Sequence, residues 1–152
     1  ILNKLLQFMD SNDHSVIVVM TANSVADIPP ALMRSGRIDL WVYAELPKKE
    51  SRKEIIANYL RKAKFSESLP ADALDQLANF SDGYSGAELE SAVYHAKWKL
   101  VSEKKFHSVS GKDLYRVLLD HIREIKPVSK SREDDLEKVK EWAEKYAITT
   151  EE

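Results

Sequence analysis

The chain has 152 residues, 43% hydrophobic and 32% charged, a balance that describes a folded protein and excludes a disordered one. Its formal net charge of −2 provides no global field to recruit nucleic acid. With no cysteine, it has no disulfide framework, thiolate metal site or cysteine nucleophile.

Leu2, Leu5, Leu6 and Met9 recur at helical spacing, which predicts an amphipathic helix at the start. That helix begins at Ile1 with neither Met nor a capping residue, so a longer natural polypeptide is expected on the N-terminal side. After Ser11-Asn12-Asp13, the run Val16 to Met20 is unbroken in its apolar character and rich in β-branched residues. It reads as a strand buried on both faces, as in a parallel sheet. Leu40 to Leu46 reads as a second strand, stopped by Pro47. A short helix at about Pro30 to Arg34, with proline at a favoured early position, would make the connection a crossover between parallel strands. Two strands make a poor sheet, so neighbouring strands are expected from sequence outside this chain or from a partner.

From Lys48 onward every segment predicts helix. The first, about Lys49 to Lys64, carries Ile55, Ile56, Tyr59, Leu60 and Ala63 on its apolar side. The second starts near Pro70, with Leu74, Leu77, Ala78 and Phe80. The third opens on Ser85-Gly86-Ala87-Glu88, a capping box in which Ser85 and Glu88 satisfy each other's orphan amides. Its apolar face is Leu89, Ala92, Val93, Ala96 and Leu100. Ser110 and Asp113 repeat that logic for a fourth helix, closed by Pro127, and Glu133 to Tyr146 forms a last one. The expected organisation is therefore an α/β fragment over residues 1–47, holding two parallel strands of an incomplete sheet. An all-α bundle over residues 48–152 follows it.

Three side chains stand out for chemistry. Asn23 follows the first predicted strand, at the sheet edge where ligands of open α/β folds bind, although a loop Asn can equally bond its own backbone. Arg34 and Arg37 flank a Ser35-Gly36 turn, and two guanidiniums on one rigid loop suit a phosphate. The plainer alternative is helix capping by Arg34 and a salt bridge from Arg37 to Asp39.

Together, Asn23, Arg34, Gly36, Arg37, Asp39 and the later Gly83-Tyr84-Ser85-Gly86-Ala87-Glu88-Leu89 stand in the order and spacing of AAA ATPases, which are P-loop NTPases. Val16 to Asp39 resembles their second region of homology, and Gly83 to Leu89 resembles the start of the lid helix facing the nucleotide. The ending Glu124-Ile125-Lys126-Pro127-Val128 with Glu141-Trp142-Ala143 is similar to uncharacterised chloroplast and cyanobacterial AAA proteins. The resemblance implies a sensor-1 place for Asn23, orienting the attacking water and the γ-phosphate. It implies arginine-finger places for Arg34 and Arg37, reaching the ATP of an adjacent subunit in a ring, commonly hexameric. Ile55 matches the lid position that packs on adenine, and Gly86 with Ala87 the close approach to the nucleotide. Tyr59 stands where many relatives have histidine; Ser35 replaces the common proline and Ile38 the common phenylalanine. ATP and Mg²⁺ would be cofactors of the complete module, working on a protein substrate, in the cytoplasm or the plastid stroma.

The phosphate-binding loop, Gly-x-x-x-x-Gly-Lys-Ser/Thr, is nowhere in this sequence, and neither is the acidic Walker B pair. The 152-residue chain alone is therefore expected neither to bind ATP tightly nor to hydrolyse it. His14, His95, His107 and His121 show no mutual spacing for a metal. Trp41, Trp98 and Trp142 are dispersed, as packing residues are. Lys97, Lys99, Lys104 and Lys105 read as a solvated face. A second class of function stays open: a non-catalytic helical interaction module that kept the lid and lost the ATPase. The sequence upstream of Ile1 discriminates the two.

Overall fold

A computed structural model describes residues 2–11, 16–34, 36–65 and 69–149. Ile1, Asn12, Asp13, His14 and Ser35, on which parts of the sequence reading fall, lie outside them. The chain forms two compact units, Leu46–Glu133 and Ile1–Glu45 with Asp134–Glu152.

In the unit Leu46–Glu133 the helices are α2 (Lys49–Lys62), α3 (Ala73–Phe80), α4 (Gly86–Ser102), α5 (Gly111–Glu124) and the short α6 (Val128–Ser131). Helix α4 packs on α2 and α5, and α3 packs on the same two, so the four long helices close around one core. Leu89, Val93 and Leu100 from α4 meet Leu114, Leu118 and Ile122 from α5, Ile56 from α2 and Leu77 from α3, none more than 2% exposed. These are the positions that helical periodicity selects, and burial of each large side chain contributes about 1.5–3 kcal/mol. The predicted caps form. The Ser85 hydroxyl accepts from the Glu88 N–H (3.3 Å), and the Glu88 carboxylate accepts from the Ser85 N–H (2.7 Å). Ser110 accepts from the Asp113 N–H at 3.1 Å. Two helix starts thus fall at their local signals.

The other unit holds α1 (Leu2–Asp10), a two-residue strand β1 (Val42–Tyr43), α7 (Glu133–Tyr146) from Asp134 onward, and β2 (Ile148–Thr149). The two strands pair in parallel, Val42 opposite Ile148 and Tyr43 opposite Thr149, and the Ile148 N–H donates to the Trp41 carbonyl at 3.0 Å. Two parallel strands beside a mainly helical chain match the expected fold class. The identity of the strands differs. Val16 to Met20 forms no strand: it is exposed throughout, Ile17 at 91% and Val19 at 83%. A strand needs a ladder on at least one edge, and among the described residues nothing pairs with this backbone. β1 finds its partner at the far end of the chain instead. The helix expected at Pro30 to Arg34 is replaced by turns, with Leu32 N–H bonded to the Pro29 carbonyl (2.8 Å) and Met33 N–H to that of Pro30 (3.2 Å). Proline at position 30 biases residue 29 away from the helical region, and these three-residue steps satisfy the local donors.

The C-terminal helix, from Asp134 onward, clusters with Ile1–Glu45. Trp142 meets Trp41 edge-to-face with centroids 5.1 Å apart and continues to Tyr146 at 5.3 Å. Among the described residues no helix is long and apolar enough to cross a membrane.

Candidate functional site

The residues singled out by sequence fall into two groups, one in each unit. In the helical unit, Ile55 is half-buried on α2, and Gly86 opens α4. A Cβ placed on Gly86 would lie 4.0 Å from Ile55 Cδ1, so the first turn of α4 passes Ile55 at ordinary contact distance. Ala87 follows and is exposed. Tyr59, one turn beyond Ile55, leans on the middle of α4 rather than its start. Its ring is 6.4 Å from that of Tyr94, and Lys62 Nζ sits 4.9 Å from its centroid. Burial, and then a hydrogen bond to Glu90, push its phenol above the usual tyrosine range.

The turn leading into α4 requires a glycine. Gly83 has φ +75°, a conformation that costs a side-chain-bearing residue about 1–2 kcal/mol. Its carbonyl accepts the Ser129 N–H from α6 at 3.3 Å. A Cβ there would stand 2.0 Å from Ser129 Oγ.

In the other unit Asn23 and Arg34 are exposed. Arg37 is not free. Its Nε and Nη2 each donate to the Asp10 carboxylate at 2.7 Å, and Nη1 donates to the Ala31 carbonyl at 2.6 Å. The pair is bidentate, the strong form of an arginine–carboxylate contact. The Arg37 hydrogen bonds, and then the charges of Arg37 and Arg34, hold the Asp10 carboxyl below the ordinary carboxylate range. The Asp39 partner considered from sequence is passed over for one 27 residues away at the end of α1. Gly36 turns the loop at φ +87° with open space around it. Arg34 makes no side-chain hydrogen bond or ion pair with the described residues.

Residues 1–46 match the ATPase family associated with various cellular activities (AAA). The chain is 34% identical over 105 residues to the peroxisomal ATPase PEX1 of Arthrobotrys oligospora, a match spanning 68% of this chain and 8% of that protein. It is 26% identical to the uncharacterized AAA domain-containing protein ycf46 of Guillardia theta across 91% of this chain and 26% of the relative. The chain belongs to the AAA ATPase family. Its fold is that of the FIGL-1 AAA domain, crystallised in complex with ADP, with a TM-score of 0.51 at 20% identity over 67% of this chain and 36% of that one. The chain thus spans about a quarter or less of these two curated AAA relatives.

Three features of this AAA chain escaped the sequence reading. Arg52 is only 6% exposed and donates to the carbonyls of Ala78 (3.1 Å) and Pro47 (2.7 Å), while its Nη2 meets Asp82 at 2.9 Å. The signal was its spacing, since Arg52 precedes Ile56, Tyr59 and Ala63 on the inward stripe of α2. Tyr84 is buried, its hydroxyl donating to the carbonyls of Ile122 and, at 2.8 Å, Ile125. His95 and His121, 26 positions apart, stack with ring centroids 3.8 Å apart and planes 7° from parallel. No local spacing encodes that pair.

Proposed function

We propose that this chain is the C-terminal part of an AAA ATPase module, carrying the sensor, finger and lid residues of a ring enzyme that remodels a protein substrate. The observation carrying the reading is the asymmetry of the arginine loop. Arg37 clamps the loop onto Asp10 and Ala31, and Arg34 is left exposed without a described partner. A charge presented this way is accessible to a target outside its own unit. A finger needs that, because it supplies positive charge where phosphoryl transfer develops negative charge, an effect on the order of 10³-fold or more. Arg37 would join it only by exchanging the Asp10 carboxylate for phosphate, so Arg34 is the leading finger and Arg37 its anchor.

The residues present fit a nucleotide in part. Gly86 carries no side chain where α4 begins, and Ile55 sets an apolar surface beside it. In the helical unit Ile55, Gly86 and Ala87 would hold the base side of ATP and Tyr59 would support α2 against α4; in the other unit Asn23 would take the water-orienting role that the family resemblance implies for its position. ATP with Mg²⁺ supplies the transferable phosphoryl group. The phosphate loop and acidic pair belong to sequence other than this, so the isolated chain does not turn ATP over. The fingers imply neighbouring subunits, and a hexamer is the assembly we propose. The Arg37–Asp10 clamp favours one competing reading, a non-catalytic lid-derived interaction module in which Arg37 is structural.

The test uses the full-length subunit. Arg34→Ala is expected to abolish hydrolysis and leave ADP affinity within about twofold, since a finger acts in the transition state and not in its own subunit's ground state. Equal loss of binding and turnover, or unchanged turnover, would overturn the finger. ATP turnover by the 152-residue chain above a contaminant control would overturn its incompleteness.

A further inference from the structure

The turn from Ser81 to Tyr84, which delivers the chain into α4, is held from three sides. Arg52 reaches it from α2 through Asp82 at 2.9 Å. Ser129 of α6 donates to the Gly83 carbonyl at 3.3 Å. The Tyr84 hydroxyl, in a side chain only 3% exposed, bridges the carbonyls of Ile122 and Ile125 at the end of α5. Helix α5 ends at Glu124, so the Ile122 carbonyl has no intrahelical partner, and Tyr84 supplies one from another element.

Packing alone does not require this hydroxyl, because a phenylalanine ring fills the same space. Two glycines within Gly83-Tyr84-Ser85-Gly86 make the backbone intrinsically loose, and Gly83 occupies a conformation that its own sequence does not enforce. What removes that freedom is attachment at both ends, to α5 and α6 on one side and to the Ser85–Glu88 capping box on the other. Gly86 lies two residues after Tyr84, and a Cβ built on it would stand 4.0 Å from Ile55 Cδ1.

We propose that Tyr84 is a positioning residue for nucleotide binding, its hydroxyl locking the end of α5 to the turn so that Gly86 stands at a fixed distance from Ile55. This rests on the reading that nucleotide lies against Ile55 and Gly86. Tyr84 touches no nucleotide; it acts through the backbone of the turn. Its loss weakens binding and leaves the chemical step intact.

The experiment measures ADP affinity and steady-state ATP hydrolysis of the full-length subunit. Tyr84→Phe is expected to raise the ADP Kd and the ATP KM about three- to tenfold, the worth of one net hydrogen bond, with kcat at saturation within about twofold. Gly83→Ala loosens the same turn from the Ser129 side, shifts Kd the same way, and carries the test if the phenylalanine variant does not fold. Leu100→Ala, a core truncation at the opposite end of α4, lowers stability and leaves Kd unchanged. Unchanged Kd in Tyr84→Phe, or an equal Kd shift in Leu100→Ala, overturns the positioning role. Gly86→Val separates the two levels: if it leaves ADP affinity intact, the nucleotide is elsewhere and the underlying reading fails.

Discussion

Gly83→Ala is the sharpest test of how the helical unit is held together. A side chain at φ +75° costs about 1–2 kcal/mol of backbone strain, less about 0.4–1 kcal/mol regained because alanine restricts the unfolded chain. The added Cβ would also lie 2.0 Å from Ser129 Oγ and 2.9 Å from Ser129 Cβ, so α6 must withdraw. Withdrawal breaks the Ser129 N–H to Gly83 carbonyl bond, worth about 1 kcal/mol. The net expectation is about 2 kcal/mol of destabilisation, read as a fall in urea midpoint at constant slope. In a Ser129→Gly background both clashing atoms are gone and the bond survives. The same substitution then costs only the backbone share, about 1 kcal/mol or less. A double-mutant cycle on urea unfolding measures the difference. Equal cost in the two backgrounds would refute the reasoning, because it would show that α6 does not bear on the turn.

Arg52→Met is expected to cost about 2–4 kcal/mol in urea unfolding, chiefly by stranding the Ala78 and Pro47 carbonyls; Asp82 is 85% exposed and adds little. Arg52→Lys, with one ammonium for three partners, should recover only part of the loss. His121 is held below the ordinary imidazole value by burial first and then by His95 and Lys99, with Glu124 opposing. The fold therefore favours the neutral ring. Its contribution is complete above about pH 6.5 and is lost as pH falls from there through the depressed value. Melting temperatures between pH 7.5 and 5 should drop more steeply in the wild type than in His121→Gln; parallel curves would remove His121 from the account. Brief trypsin digestion should cut after Arg34 before Arg37, whose guanidinium is engaged by Asp10 and Ala31. Asp10→Asn should bring the two rates together, and equal rates in the wild type would contradict the clamp.

What was legible in the sequence was local. Helices α2 to α5 are encoded by apolar stripes of helical period and by caps such as Ser85 with Glu88, because a helix bonds to itself and its signals lie within one turn. The order of Asn23, Arg34, Gly36, Arg37 and the Gly83-to-Leu89 segment likewise pointed to the AAA family without any coordinates. Tertiary structure decided everything that needs a distant partner. Val16 to Met20 has full strand character and forms no strand, since a ladder is completed by other chain segments. Val42–Tyr43 pairs instead with Ile148–Thr149, more than a hundred residues away in sequence. Arg37 chose Asp10 over nearby Asp39, Tyr84 closed the end of a helix 38 residues later, and His95 met His121 across two helices. Each depends on a contact brought together only by folding, and a one-dimensional pattern records the residue without recording whom it will meet.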